Sequence, residues 1–117
     1  MPMVRRNEPI STWEDGDFVQ GFALVTRKEL RLDRKGREYL DLDLADSRDS
    51  VNGKVWPDSP ALKGDFNERD FVLFKGTARV FRDHLQLNVD HCRRARPDDE
   101  GFDEASLIPS SPVAVKR

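Results

Sequence analysis

Cysteine, histidine and long apolar runs are all scarce in this chain, and each scarcity closes off a class of function. One cysteine, Cys92, among 117 residues cannot form a disulfide within the chain, which fits a reducing, cytoplasmic setting. Only two histidines occur, His84 and His91, and neither belongs to a His-Asp pair beside further metal ligands. His91 and Cys92 are neighbours, so on an extended strand they point to opposite faces and cannot form a nucleophile and its base, or share a metal. No glycine-rich loop of the kind that cradles phosphate is present. No apolar run approaches the ~20 residues of a membrane span, and the opening MPMVRRNEP has no apolar signal core. The expectation is a cytoplasmic chain with no catalytic residues, no metal, no cofactor and no membrane contact.

An excess of one charge is also missing. The net charge is −2, from 20 basic and 22 acidic residues, so no global field draws the chain to a polyanion. Distribution matters more than the sum. Six basic residues (Arg27, Lys28, Arg31, Arg34, Lys35, Arg37) stand against Glu29 and Asp33 in one short stretch. A second basic cluster is Arg93, Arg94 and Arg96, while acidic charge collects at Glu14–Asp17 and Asp98–Glu104. Such runs are either solvated loops or ligand contacts. Hydrophobic residues make up 37% of the chain, enough for one small domain to bury a core without staples.

The pattern of those apolar residues is period two. Leu40, Leu42 and Leu44 point one way, and Tyr39, Asp41 and Asp43 the other. After a polar break from Asp46 to Ser50 the alternation resumes, with Val51, Gly53 and Val55 on one face and Asn52, Lys54 and Trp56 on the opposite one. This reads as a β-hairpin with one face buried. Its wet face carries two aromatics, Tyr39 and Trp56, with Lys54 beside them. Exposed aromatics next to cations suit stacking of unpaired bases. Packing under a terminal segment or a partner domain is the other reading.

The remaining elements follow in order. Residues 1–9 read as a flexible leader, and Ile10–Gly16 as a short extended piece ending in a turn. Asp17 to about Leu32 reads as one long strand, bent or bulged at Gly21, and Asp33–Gly36 as a turn. After the hairpin, Pro57–Asp65 has the caps for a short helix. Phe71–Phe81 then makes a fourth strand, with Val72, Phe74, Ala78 and Val80 on one face. Arg82-Asp83 is a tight turn, and His84–Arg94 a fifth strand with Leu85, Leu87 and Val89 inward. Five strands with a short helix between the third and fourth is the order of an all-β, five-stranded OB-fold, a Greek-key barrel. The glycine in the curved first strand agrees with barrel closure. The expected organisation is a leader over 1–9, the OB-fold over 10–97, and an acidic, Pro/Ser-containing linker or tail over 98–117.

The residues also resemble a family. The run GDFVQGFALVTRKELRLDRKGREYLDLDLADS, followed by KVWP, GDF and RDFVLFKGTARVFRDHLQLNVD, is similar to the N-terminal OB domain of bacterial HD-domain 3′→5′ exoribonucleases and related HD phosphohydrolases. The most specific pieces are G-x-x-Y-L-x-L-x-L-x-D (Gly36 to Asp46), K-V-W (Lys54 to Trp56) and L-Q-L (Leu85 to Leu87). The similarity runs from about Ile10 to Pro112, and it extends more loosely to the anticodon-binding class of OB domains. It implies a module that binds single-stranded nucleic acid, RNA before DNA, beside a C-terminal nuclease domain. Two features depart from the pattern. The turn Asp46–Ser50 lacks the family's glycine, and the HD domain with its metal ligands is absent. The expectation is therefore a fragment or stand-alone version and not the enzyme.

Within an OB-fold the candidate nucleic-acid-binding residues are Tyr39 and Trp56 for stacking, with Lys54 beside them. Arg34, Lys35 and Arg37, on the loop between the first two strands, would contact phosphate, as would Arg82 and His84 at the loop between the last two. Asp41 and Asp43 lie on the same face and count against phosphate binding there. They and the negative net charge motivate an alternative: a protein-interaction or homodimerisation domain with no nucleic-acid ligand.

Overall fold

The computed structural model describes residues 4–59, 62, 64–103 and 107. Among the described residues six strands form one sheet: β1 (Val4–Arg6), β2 (Phe18–Leu32), β3 (Glu38–Ala45), β4 (Ser50–Val55), β5 (Phe71–Phe81) and β6 (His84–Arg94). β2 pairs antiparallel with β3 through its second half and with β5 through its first. β3 pairs with β4, β4 runs parallel to β6, and β6 returns antiparallel to β5. The five strands β2 to β6 thus close on themselves as an all-β barrel of the OB type. Closure removes the open edges that a flat sheet of these strands would expose.

The alternation read from the hairpin fixes the barrel's inside. Leu42, Leu44 and Val55 are fully buried, and they meet Val25, Val72 and Leu87 from the facing strands. Phe66 closes the core from the loop before β5, with the Lys28 ammonium 4.5 Å from its ring centre. Gly76 is required where β5 and β6 slip register between Lys75 and Gly76. A Cβ there would sit 2.2 Å from the carbonyl oxygen of Asn88.

Both long turns are built by aspartates. In the β2–β3 turn, Asp33 accepts bonds from the backbone N–H groups of Lys35 and Arg37, each at 2.9 Å. Gly36 there adopts φ +81°, a conformation open to glycine at little cost. In the β3–β4 turn Asp46 Oδ1 accepts from the N–H groups of Arg48 (2.9 Å) and Asp49 (2.8 Å), while Oδ2 takes the Ile10 N–H at 3.0 Å. That carboxylate organises a turn that has no glycine. At the β5–β6 turn, Arg82 and Asp83 both have positive φ, 53° and 66°, the geometry of a two-residue hairpin turn.

Several expectations are corrected. Part of the supposed leader is structured: Val4–Arg6 lies parallel to Phe18–Gln20. It takes the edge of β2 that β3 does not reach. The next piece is not extended but a 3-10 turn, Ile10–Thr12, whose Ile10 and the following Trp13 are buried. β2 is regular through Gly21, which pairs with Phe74, and its irregularity falls between Val25 and Arg27. There the strand leaves β5, its last pair being Leu24 with Phe71, and a bulge supplies the bend. Among the described residues the β4–β5 connection holds no α-helix. It has i→i+3 bonds from Ser59 to Trp56 and from Leu62 to Ser59, and residues 60, 61 and 63 of the expected helix lie outside the described residues. Val80 is 46% exposed and not part of the inner face, because β5 runs on past Thr77, its last partner on β2 being Phe18. Within 98–117, Asp99 pairs with Arg93 at 2.8 Å, Phe102 packs on Phe22 and Phe71, and Leu107 is buried. The rest of that segment, apart from 98–103 and 107, lies outside the described residues.

Candidate nucleic-acid interface

The outer face of β2, β3, β4 and β6 is a grid that the strand registers specify. Its first row is Arg31 and Tyr39, with Trp56 following β4 next to them. The second row is Glu29, Asp41, Lys54 and Asn88, and the third is Arg27, Asp43, Asn52 and Gln86. The bulge at Thr26 puts the cations into this grid. Counting by twos from buried Val25 would send Arg27 inward; the extra residue turns Arg27, Glu29 and Arg31 outward instead.

Tyr39 and Trp56 do meet, with ring centroids 5.3 Å apart and planes 34° from parallel. They form one joined aromatic surface and not two separate stations. Trp56 is its open part, 40% exposed, and its indole N–H donates to Asn88 Oδ1 at 3.1 Å. That bond fixes the ring's orientation on the sheet.

Lys54 is close but engaged. Its ammonium lies 3.0 Å from Asp41 Oδ1 and 6.0 Å from the Tyr39 ring centre. Asp41 is buried, only 5% exposed, and is the hub of the grid. Its Oδ1 also receives Asn52 Nδ2 (2.6 Å) and Arg27 Nη2 (3.1 Å), and its Oδ2 receives Arg31 Nε (3.1 Å). Burial opposes the charged form of Asp41, but the hydrogen bonds from Asn52, Lys54 and Arg27 outweigh it and hold the carboxyl down at about 2. Arg27 Nε donates to Asp43 Oδ2 at 2.8 Å, which lowers the Asp43 carboxyl and raises the Arg27 guanidinium relative to their ordinary values. Arg27 and Arg31 both also pair with Glu29.

The other expected residues divide into two groups at opposite ends of this face. Arg34, Lys35 and Arg37 sit on the exposed turn next to the Tyr39 row, with Arg37 Nε 3.0 Å from Asp33 Oδ2. Arg82 and His84 lie at the β5–β6 turn. Because β6 runs parallel to β4 and Gln86 pairs with Asn52, that turn falls toward the Ser50 end, away from Trp56. Arg82 stacks its guanidinium over Phe81 at 5.3 Å, and Phe81 is 61% exposed. So Tyr39, Trp56 and Lys54 are brought together, and the remaining five candidates flank them as two separate edges.

Sequence reasoning missed Arg27 and Arg31 as members of the face, and it turned Asn52, Gln86 and Asn88 outward without counting them as binding residues. The parity of β4 and β6 carries that signal for Asn52, Gln86 and Asn88. For Arg27 and Arg31 only the bulge position reveals it. Cavities lie elsewhere, one of about 410 Å³ beside Ile10 and Trp13 and one of about 440 Å³ among Gln20, Lys75, His91 and Arg93. Cys92, next to His91, is buried, and burial pushes its thiol up to about 12. Among the described residues no three histidine, cysteine or carboxylate side chains gather as a metal site.

Fold and face together define an OB-fold domain with an open, aromatic-bearing outer sheet. No protein-family model matches the chain. Among solved structures it is similar to the second OB-fold domain of replication protein A from Methanococcus maripaludis, with TM-score 0.60 and 18% identity over 84% of this chain and 100% of that one. It is also similar to a chain of a replication protein A heterotrimer bound to single-stranded DNA, with TM-score 0.53 and 14% identity over 79% of this chain and 71% of that one. At these identities the likeness shows the fold alone.

Proposed function

We propose that this chain is a single-stranded nucleic-acid-binding module that holds bases on the Tyr39–Trp56 surface. The observation that carries the reading is that joined aromatic pair, open to solvent on the β2–β3–β4 face and oriented by Asn88. OB-folds bind single strands across this face, and stacking on an aromatic contributes ~1–3 kcal/mol per base without demanding a sequence. The likeness to a replication protein A structure bound to single-stranded DNA supports the same reading. Its finer form, RNA before DNA and a place beside an HD-type nuclease domain, rests on the sequence resemblance. The role is binding and not catalysis, in a cytoplasmic protein.

In this reading Trp56 supplies most of the stacking area, Tyr39 backs it, and Arg34 and Lys35 on the neighbouring turn reach phosphate. Anisotropy titrations with a labelled single strand at two salt concentrations test it, with ribo- and deoxy-oligonucleotides of the same sequence run side by side. Micromolar or weaker binding is expected, weakening with salt. The Tyr39→Ala/Trp56→Ala double variant should lose at least the ~1–3 kcal/mol of one stacked base. No binding at low salt, or unchanged binding by that double variant, would sink the proposed site.

A further inference from the structure

We propose that the carboxylates of the outer face act as internal competitors for phosphate: Glu29 and Asp43 hold Arg27 and Arg31 in place, so the face reads bases and not backbone charge. This rests on the nucleic-acid reading above and concerns the regulation of affinity at that same site.

The geometry is a closed lattice. Arg27 pairs with Asp43 at 2.8 Å, with Asp41 at 3.1 Å and with Glu29. Arg31 pairs with Glu29 at 3.0 Å and with Asp41 at 3.1 Å, and Lys54 with Asp41 at 3.0 Å. The three cations Arg27, Arg31 and Lys54 therefore face the three carboxylates Glu29, Asp41 and Asp43, and the net charge of the lattice is zero. A guanidinium has donors for more than one partner, but here each is already directed at carboxylate oxygens in bidentate or bridging arrangements. A phosphate arriving on this face meets no uncompensated charge. It must displace a carboxylate that is held in place by the sheet.

The two partners that matter differ from Asp41. Asp41 is the buried hub, with its side chain 8% exposed, whereas the Asp43 and Glu29 side chains are 37% and 47% exposed. These two can lose their charge without leaving a buried cation alone, because Asp41 still holds both arginines. At the adjacent turn the situation is reversed. Arg34 and Lys35 make no ion pair among the described residues, and Arg37 is held by Asp33. Salt-sensitive phosphate contact is therefore left to the flanking turns, this one and the β5–β6 turn with Arg82, and the grid itself contributes stacking and polar contact.

Asp43→Asn and Glu29→Gln, singly and together, test this in anisotropy titrations with one labelled single strand over a range of salt. Each single variant should bind roughly fivefold tighter at low salt, the effect of one unit charge about 4 Å away in water. The slope of log affinity against log salt should steepen by about 0.7 for each further phosphate that the face neutralises. A peptide nucleic acid of the same base sequence, with an uncharged backbone, should bind wild type and variants alike. Urea melts check that each variant is folded, and the exposed Glu29→Gln decides the matter if Asp43→Asn is not. Wild-type binding with unchanged or weaker binding by the folded variants overturns the inference and leaves the proposed function standing. Tightening that appears equally with the uncharged strand also overturns it. Binding by the double variant alone supports the lattice as a competitor and refutes binding by the native face. No binding by any form refutes both.

Discussion

The inner and outer faces of the β3–β4 hairpin are made of alternate residues on the same two strands, yet different forces hold them. Inside, Leu42, Leu44 and Val55 are sealed from water, and their contribution is apolar area, which has no direction and is local to each side chain. Outside, Asp41 takes Lys54 and Asn52 from β4 and Arg27 and Arg31 from β2, so its contribution is complete only when three strands lie in register. One face is set by what each residue is. The other is set by what it meets.

The largest expected effect breaks the inner face. Leu42→Ala removes a fully buried side chain and should lower stability by about 2–5 kcal/mol, through lost burial and the cavity left behind. Urea unfolding followed by circular dichroism measures it directly, and a loss below that range would mean the barrel collapses around the gap.

The next effect separates the outer face by pH. The folded Asp41 carboxyl is held down at about 2, against an ordinary value of 3.8. A carboxylate with a depressed folded value contributes its full stability above its unfolded value and loses it as pH falls through the folded one. Stability should therefore decline between about pH 4 and pH 2 by an amount on the order of 2 kcal/mol. Asp41→Asn should make that decline shallower, the part due to the other lowered carboxylates such as Asp43 remaining, while Leu42→Ala should leave its shape alone and only shift it. An unchanged profile in Asp41→Asn would show that other carboxylates govern acid unfolding.

The smallest effect sharpens the division within the wet side. Arg34→Ala/Lys35→Ala should leave the urea midpoint nearly unchanged, since surface substitutions of this kind fall within about 0.5 kcal/mol. It should nonetheless reduce the salt slope of single-strand binding by up to about 0.7 for each phosphate no longer neutralised. A slope that stays the same would move the phosphate-binding role away from the β2–β3 turn.

Much of the fold was legible because period-two alternation is a local signal. Leu40, Leu42 and Leu44 declare a buried face wherever their strand is placed, and the order of elements then admits few barrels. The candidate site was half legible. Tyr39 and Trp56 were found by parity on either side of one turn, and their contact follows from the antiparallel register of β3 and β4. The acidic pair Asp41 and Asp43 looked like an obstacle when read alone. Their partner Arg27 lies 14 and 16 positions away on the other side of a bulge.

By itself, then, the sequence determined an all-β barrel, the buried side of its strands, and the aromatics left outside. Tertiary structure decided that Val4–Arg6 joins the sheet, that β2 bends at Thr26 and not at Gly21, and that the cations and carboxylates of the outer face neutralise one another. The reason is physical. Hydrophobic burial is additive over single residues and shows in a one-dimensional pattern. A bulge is placed where one strand must leave its partner for another, and ion pairing depends on distances that exist only once three strands are side by side.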